Sequence, residues 1–203
     1  MANKTKYVII GLSGKRGSGK DELARKLAPY GWEKVSFAEE LKQRTRDDFN
    51  LTIEHTDGKL KEVPCGFIND EGRELTPRDI MTMCGKYYRS IDPMYWVKSA
   101  FRRVNKLDGL MDVRKIVVTD VRFENEVRSL REHGAFIVRI NRPLALNIYK
   151  IPLNDISETG LDNYTFDYVI PEERNIDFAD LEREAKILDE LYSPKAAEVA
   201  FKI

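Results

Sequence analysis

An apolar run, Tyr7-Val8-Ile9-Ile10, leads into Gly14-Lys15-Arg16-Gly17-Ser18-Gly19-Lys20-Asp21, and a helix pattern follows. This strand–loop–helix junction limits the fold more than any other feature of the chain. Gly14, Gly19 and Lys20 fall at the spacing of a phosphate-binding loop, with Asp21 where Ser or Thr is usual. Glycines let such a loop turn its N–H groups inward and let phosphate oxygens come close. The next helix adds its positive end to the same anion, and Lys20 can reach outer phosphates as a point charge. Candidate phosphate contacts are therefore Gly14, Lys15, Arg16, Gly17, Ser18, Gly19, Lys20 and Asp21.

The chain has 203 residues, enough for one α/β domain with insertions. Its 34 basic and 34 acidic side chains cancel, which argues against a broad nucleic-acid or anionic-membrane surface. No apolar stretch approaches membrane-spanning length and none resembles a signal peptide, so a cytoplasmic protein is expected. The two cysteines, Cys65 and Cys84, lack metal-type spacing.

Strands are expected at Tyr7–Leu12, Lys34–Phe37, Arg114–Thr119, Ala135–Ile140 and Phe166–Ile170. Helices are expected at Lys20–Leu27, Glu39–Phe49, Thr76–Tyr88, Asp92–Leu107, Phe123–His133 and Asp177–Leu191. Thr76-Pro77 is an N-cap followed by proline at the first helical position. Between Leu51 and Asn69, two β-like runs flank Asp57-Gly58 and predict an inserted hairpin. Residues 142–159 lack periodicity and contain Pro143 and Pro152, and a loop of that length is usually functional. Residues 194–203 read as a tail. The alternation of strands and helices calls for a mostly parallel sheet with helices on both faces, which binds ligands at the carboxyl ends of its strands. Asp120 ends one strand, so Asp120 and Asp21 are the candidate metal ligands. Glu22 and Lys26 are spaced as an i,i+4 pair.

Five segments carry a further likeness: the loop itself, Thr76-Pro77-Arg78-Asp79-Ile80-Met81, Ser90-Ile91-Asp92-Pro93-Met94-Tyr95-Trp96-Val97, Thr119-Asp120-Val121-Arg122-Phe123-Glu124-Asn125-Glu126 and Ser157-Glu158-Thr159-Gly160-Leu161-Asp162. In this order they resemble bacteriophage deoxynucleoside monophosphate kinases. Animal-type phosphomevalonate kinases share the Asp-containing loop and a similar Ser-Glu-x-Gly-Leu-Asp segment. The resemblance implies a three-layer P-loop kinase in a single domain over residues 1–193, with an acceptor-binding insertion at 39–106 and a lid at 141–159. It implies ATP as co-substrate, Mg²⁺ as cofactor and a deoxynucleoside monophosphate as acceptor. A nucleic-acid polymer or membrane partner is not implied, and a homodimer is left open. Acceptor contacts fall on Arg78, Gly85, Trp96, Arg122 and Glu126. Trp96 would stack on a base or shape the pocket, and Glu126 would orient Arg122. Arg139 and Arg142 would fold over the donor phosphates. Lys20, Arg16, Asp21, Asp120 and Arg122 would carry catalysis. A kinase for another phosphorylated acceptor, a non-enzymatic nucleotide-binding module and a dinucleotide-binding oxidoreductase are the alternatives. The last leaves Glu22 where its third glycine belongs.

Overall fold

A computed structural model describes residues 6–106, 113–142, 156–174 and 177–193. Most of the expected lid, the 194–203 tail and the Leu107 end of the second inserted helix lie outside the described residues. The chain divides into two compact units, one built on 1–36 with 104–203 and one spanning Phe37–Arg103.

The first unit is organised by a sheet of five parallel strands, β1 (Lys6–Ser13), β2 (Trp32–Val35), β3 (Val113–Val118), β4 (Phe136–Ile140) and β5 (Tyr168–Ile170). Their order is β2-β3-β1-β4-β5. The glycine-rich strand end therefore occupies the middle, with β3 and β4 on either side. Ile10 faces Val117 of β3, and Leu12 faces Val138 of β4. Val8, Ile10 and Leu12 point to one face, as strand alternation requires. There they join Leu23 and Leu27 of α1 (Lys20–Leu27) and Ala185 and Leu188 of the closing helix, Phe178–Tyr192, in one buried cluster. Complete burial of such a side chain stabilises by roughly 1.5–3 kcal/mol relative to exposure.

The opposite face carries the helix Glu124–Glu132. A Cβ on Gly11 would come within 2.9 Å of both Ile137 and Leu130, so the absent side chain lets this helix pack close to the sheet. These are the helices on both faces that the strand–helix alternation predicts. One ion-pair expectation changes. Glu22 pairs with Arg25 one residue short of Lys26, and Lys26 instead reaches Glu182 of the closing helix at 2.7 Å. The closing helix packs against α1 through the apolar cluster and so offers Lys26 a carboxylate from outside its own helix.

The second unit is helical, with α2 (Ala38–Phe49), α3 (Ile53–Thr56), α4 (Pro77–Ile91) and α5, which begins at Tyr95 and runs to Lys106. The predicted N-terminus of α4 is present. Thr76 Oγ accepts the Asp79 N–H at 3.2 Å, and the Asp79 carboxylate accepts the Thr76 N–H at 2.9 Å. The hairpin expected around Asp57-Gly58 is replaced by α3 and a 3₁₀ turn, Lys59–Glu62. Thr52 caps α3 in a reciprocal arrangement with His55, which makes a helical turn there self-satisfying. Hairpin-like bonding occurs further on: Cys65 and Leu75, Phe67 and Leu75, and Asn69 and Arg73 are linked through their backbones. Tyr88, Tyr95 and Trp96 form an aromatic cluster, with Tyr88 stacked on Tyr95 at 4.7 Å.

Candidate active site

The loop after β1 turns through Gly14–Gly19 directly into α1. A Cβ on Gly14 would lie 2.5 Å from Ser18 Oγ and 2.6 Å from the Ile140 carbonyl oxygen, so no other residue fits without displacing backbone. Gly19 caps α1 in the left-handed conformation, φ 98°. Lys20 is buried under the loop and its ammonium donates to the Gly14 carbonyl at 2.6 Å, the Lys15 carbonyl at 2.8 Å and Ser18 Oγ at 3.3 Å. Burial first, then the neighbouring Arg122 guanidinium, lowers its pKa from 10.5 to about 8, against the pull of Glu158 and Asp21. The charge is thus held close to the loop and partly destabilised, a setting in which an added anion is electrostatically favoured.

Side chains from the neighbouring strand ends meet the loop. The Val121 N–H donates to the Leu12 carbonyl at 3.2 Å, tying the segment after β3 to β1. Asp120, in that segment, accepts from Ser36 Oγ at 2.9 Å. Asp21, in the first turn of α1, is 77% exposed and pairs with Lys34 at 2.5 Å. Arg122 follows, and its guanidinium donates to Glu158 at 2.6 Å. Glu126, 3% exposed, accepts the backbone N–H groups of Arg122 at 2.7 Å and Phe123 at 3.1 Å. Glu126 therefore fixes the main chain of Arg122, while Glu158 takes its guanidinium. This refines the expectation that Glu126 orients the arginine.

Arg139, near the end of β4, is anchored. It donates to Asp162 at 2.7 Å and Ser13 Oγ at 3.3 Å, and stacks over Phe166 at 5.6 Å. Asp162 also accepts from Lys15 at 2.9 Å. Burial alone would raise the Asp162 pKa, but the hydrogen bonds from Lys15 and Arg139 outweigh it and hold the carboxyl below its usual range. Arg142 is described, at the edge of the undescribed 143–155. On the first unit, Glu158 thus links Arg122 to the loop main chain and Asp162 links Arg139 to Lys15, and the charges of Arg122, Arg139 and Glu158 act on Lys20.

In the second unit, Arg78 pairs with Glu62. Trp96 is 2% exposed, packs edge-on against Tyr88 and Tyr95, and directs its indole N–H to the Gly85 carbonyl at 3.4 Å. A ring so enclosed has no face left for a base, so its shaping role remains and the stacking expectation loses support. Arg44 escaped the sequence reading. It donates to the Tyr88 hydroxyl at 2.7 Å and keeps a buried Nε–H without a hydrogen-bond partner among the described residues. Glu158 and Asp162 were visible within a motif, but their partners lie up to 147 residues away in the chain.

The family model for deoxynucleotide monophosphate kinase matches residues 51–183. This chain belongs to that family. A protein of Acanthamoeba polyphaga mimivirus named "Putative deoxynucleotide monophosphate kinase" is 33% identical over 149 residues, 67% of this chain and 75% of that protein. Among solved structures, TT1252 from Thermus thermophilus matches with a TM-score of 0.50 at 16% identity, over 93% of this chain and 99% of its own. Dephospho-CoA kinase from Campylobacter jejuni matches with a TM-score of 0.49 at 14% identity, over 92% of this chain and 98% of its own. The fold is that of a P-loop kinase, and family and loop together make this chain a kinase with a nucleotide site. No helix among the described residues is long and apolar enough to cross a membrane.

The family also implies Mg²⁺. Among the described residues no cluster of three or more metal-type side chains exists. Mg²⁺ at phosphoryl-transfer sites takes only one or two protein carboxylates, with substrate oxygens and water completing its shell. Asp21, exposed and paired with Lys34, and Asp120, which accepts from Ser36 Oγ, are hard oxygen donors of the type Mg²⁺ takes.

Proposed function

We propose that this kinase transfers the γ-phosphoryl group of ATP to the phosphate of a deoxynucleoside monophosphate, giving ADP and the diphosphate. The observation that carries the reading is the phosphate loop with Lys20 beneath it, bordered by Arg122 and Arg139 and found in a member of this family. The acceptor phosphate has a second pKa of about 6, so at neutral pH it is mostly dianionic and already nucleophilic. No general base is needed. The chain's task is to position two anions and offset their repulsion.

Loop N–H groups and Lys20 would hold the donor phosphates, with Gly14, Lys15, Arg16, Gly17, Ser18 and Gly19 forming the cradle. Arg122 and Arg16 would stabilise charge on the transferring group, and a guanidinium can do so through two parallel hydrogen bonds. Asp21 and Asp120 would hold Mg²⁺, which when bound supplies further neutralisation of phosphate charge. The resemblance assigns acceptor contact to Arg78, Gly85, Trp96, Arg122 and Glu126. Glu126 would contribute by holding the Arg122 backbone. Arg139 and Arg142 are assigned to the donor phosphates, Arg139 through the Asp162 and Lys15 network.

The test is a coupled assay with ATP-Mg and each deoxynucleoside monophosphate, with phosphomevalonate and other phosphorylated acceptors in the same panel. Acceptor-dependent ADP formation with at least one deoxynucleotide is expected. ATP hydrolysis that no acceptor accelerates would remove the proposal.

A further inference from the structure

We infer that Glu158 is a positioning residue, whose carboxylate braces the Arg122 guanidinium against the main chain of the phosphate loop. The inference rests on the proposed phosphoryl transfer. One carboxylate oxygen accepts the backbone N–H of Arg16 at 2.7 Å, and the other accepts from Arg122 at 2.6 Å. The Glu158 side chain is only 9% exposed, against 31% for its arginine partner. A carboxylate withdrawn from water in this way is retained only if charge-assisted hydrogen bonds satisfy it, and here both oxygens are engaged.

The arrangement is repeated four residues later. Asp162 receives Lys15 of the loop at 2.9 Å and Arg139 at 2.7 Å. Each carboxylate of the 158–162 turn therefore joins one loop residue to one arginine associated with a different central strand. Two surface ion pairs formed at random would not repeat that pattern. Arg122 follows β3 and has a long, rotamer-rich side chain. Without a partner it would have to be ordered during the reaction, at an entropic cost of its own. Held by Glu158, it is presented in register with the loop before the acceptor arrives.

Glutamine in place of Glu158 keeps the volume but replaces one acceptor oxygen with an NH₂ donor, so it cannot accept from both Arg16 and Arg122. For Glu158→Gln we expect kcat to fall about tenfold or more while KM for ATP changes by less than about threefold, because Lys20 keeps its bonds to Gly14, Lys15 and Ser18 and only the Arg16 N–H of the loop is perturbed. The deciding experiment is a double-mutant cycle. In an Arg122→Ala background, Glu158→Gln should cost less than about a further twofold, since the residue it positions is already gone. An equal factor in both backgrounds, or an unchanged kcat, overturns the inference. If Glu158→Gln fails to fold by thermal melting, Glu158→Asp, with its carboxylate drawn back by one methylene, carries the same cycle.

The Arg16 amide proton, read by NMR on the protein alone, separates failure of the brace from failure of the reaction assignment. A wild-type enzyme inactive on every deoxynucleotide would sink the reaction. In that case an upfield move of the Arg16 amide in Glu158→Gln upholds the brace, and an unmoved resonance overturns it.

Discussion

The phosphate-loop region and the Phe37–Arg103 unit use the same ion-pair chemistry with opposite consequences. Around the loop, one member of each pair is about nine-tenths buried, Glu158 against Arg122 at 31% exposed and Arg139 against Asp162 at 34%, and each pair joins segments distant in sequence. In the helical unit, Arg78–Glu62 is 35% and 56% exposed, and Arg73–Asp79 is 57% and 31% exposed. Exposed pairs contribute about 0–1 kcal/mol because solvent screens them and two long side chains must be ordered. Removing one member of a buried pair strands a charge and costs far more. Around the loop, charge ties distant segments together, whereas pairs such as Arg78–Glu62 leave more of the helical unit's geometry to apolar and aromatic packing.

This contrast can be broken most directly at Trp96. If packing sustains the helical unit, Trp96→Ala should lose about 3–5 kcal/mol, the range for large aromatic truncations in a core. Urea denaturation monitored by circular dichroism measures it, and a loss below about 1 kcal/mol would show that the aromatic cluster is not what holds the unit. At the loop the expected loss is in chemistry. Lys20→Ala should reduce turnover by roughly 10²–10³-fold, as deletion of one preorganised charge-stabilising donor does. Near-normal turnover in the coupled assay would take Lys20 out of its assigned role.

Smaller effects sharpen the comparison. Thr76→Ala removes the cap of α4 and should cost about 1 kcal/mol by the same denaturation experiment. Asp79, its reciprocal partner, has its pKa held below the ordinary 3.8, chiefly by the Thr76 backbone N–H and with Arg73 assisting against burial. Its contribution is present in full above pH 3.8 and is lost as pH falls through the depressed folded value. Asp79→Asn should therefore flatten the fall of stability with acid below about pH 4, and an unchanged slope would contradict the assignment. The smallest change is expected for Glu62→Gln, within about 1 kcal/mol, because its pair with Arg78 is half in solvent.

The parts legible in the sequence were those that local backbone chemistry decides. The glycine loop, the apolar strand before it and the Thr76-Pro77 helix start each carry their cause within a few residues. Asp57-Gly58 misled for the same reason. The dipeptide favours a turn in isolation, but Thr52 and His55 close a reciprocal cap that starts α3, and histidine is an unusual residue for the third position of such a cap. Glu22 shows the limit of spacing rules, since Arg25 and Lys26 are both in reach and the presence of Glu182 draws Lys26 away. The tasks of Glu158 and Asp162 were invisible for a different reason. A carboxylate in a motif does not state its partners when these lie on three other segments brought together by the sheet.

Strand order has one more consequence. The loop hangs from the innermost strand, between two neighbours that are themselves flanked by β2 and β5. Fraying begins at the outer strands of a sheet, where local opening costs least. The sheet can therefore open at its margins while the strand that carries the loop stays paired on both sides.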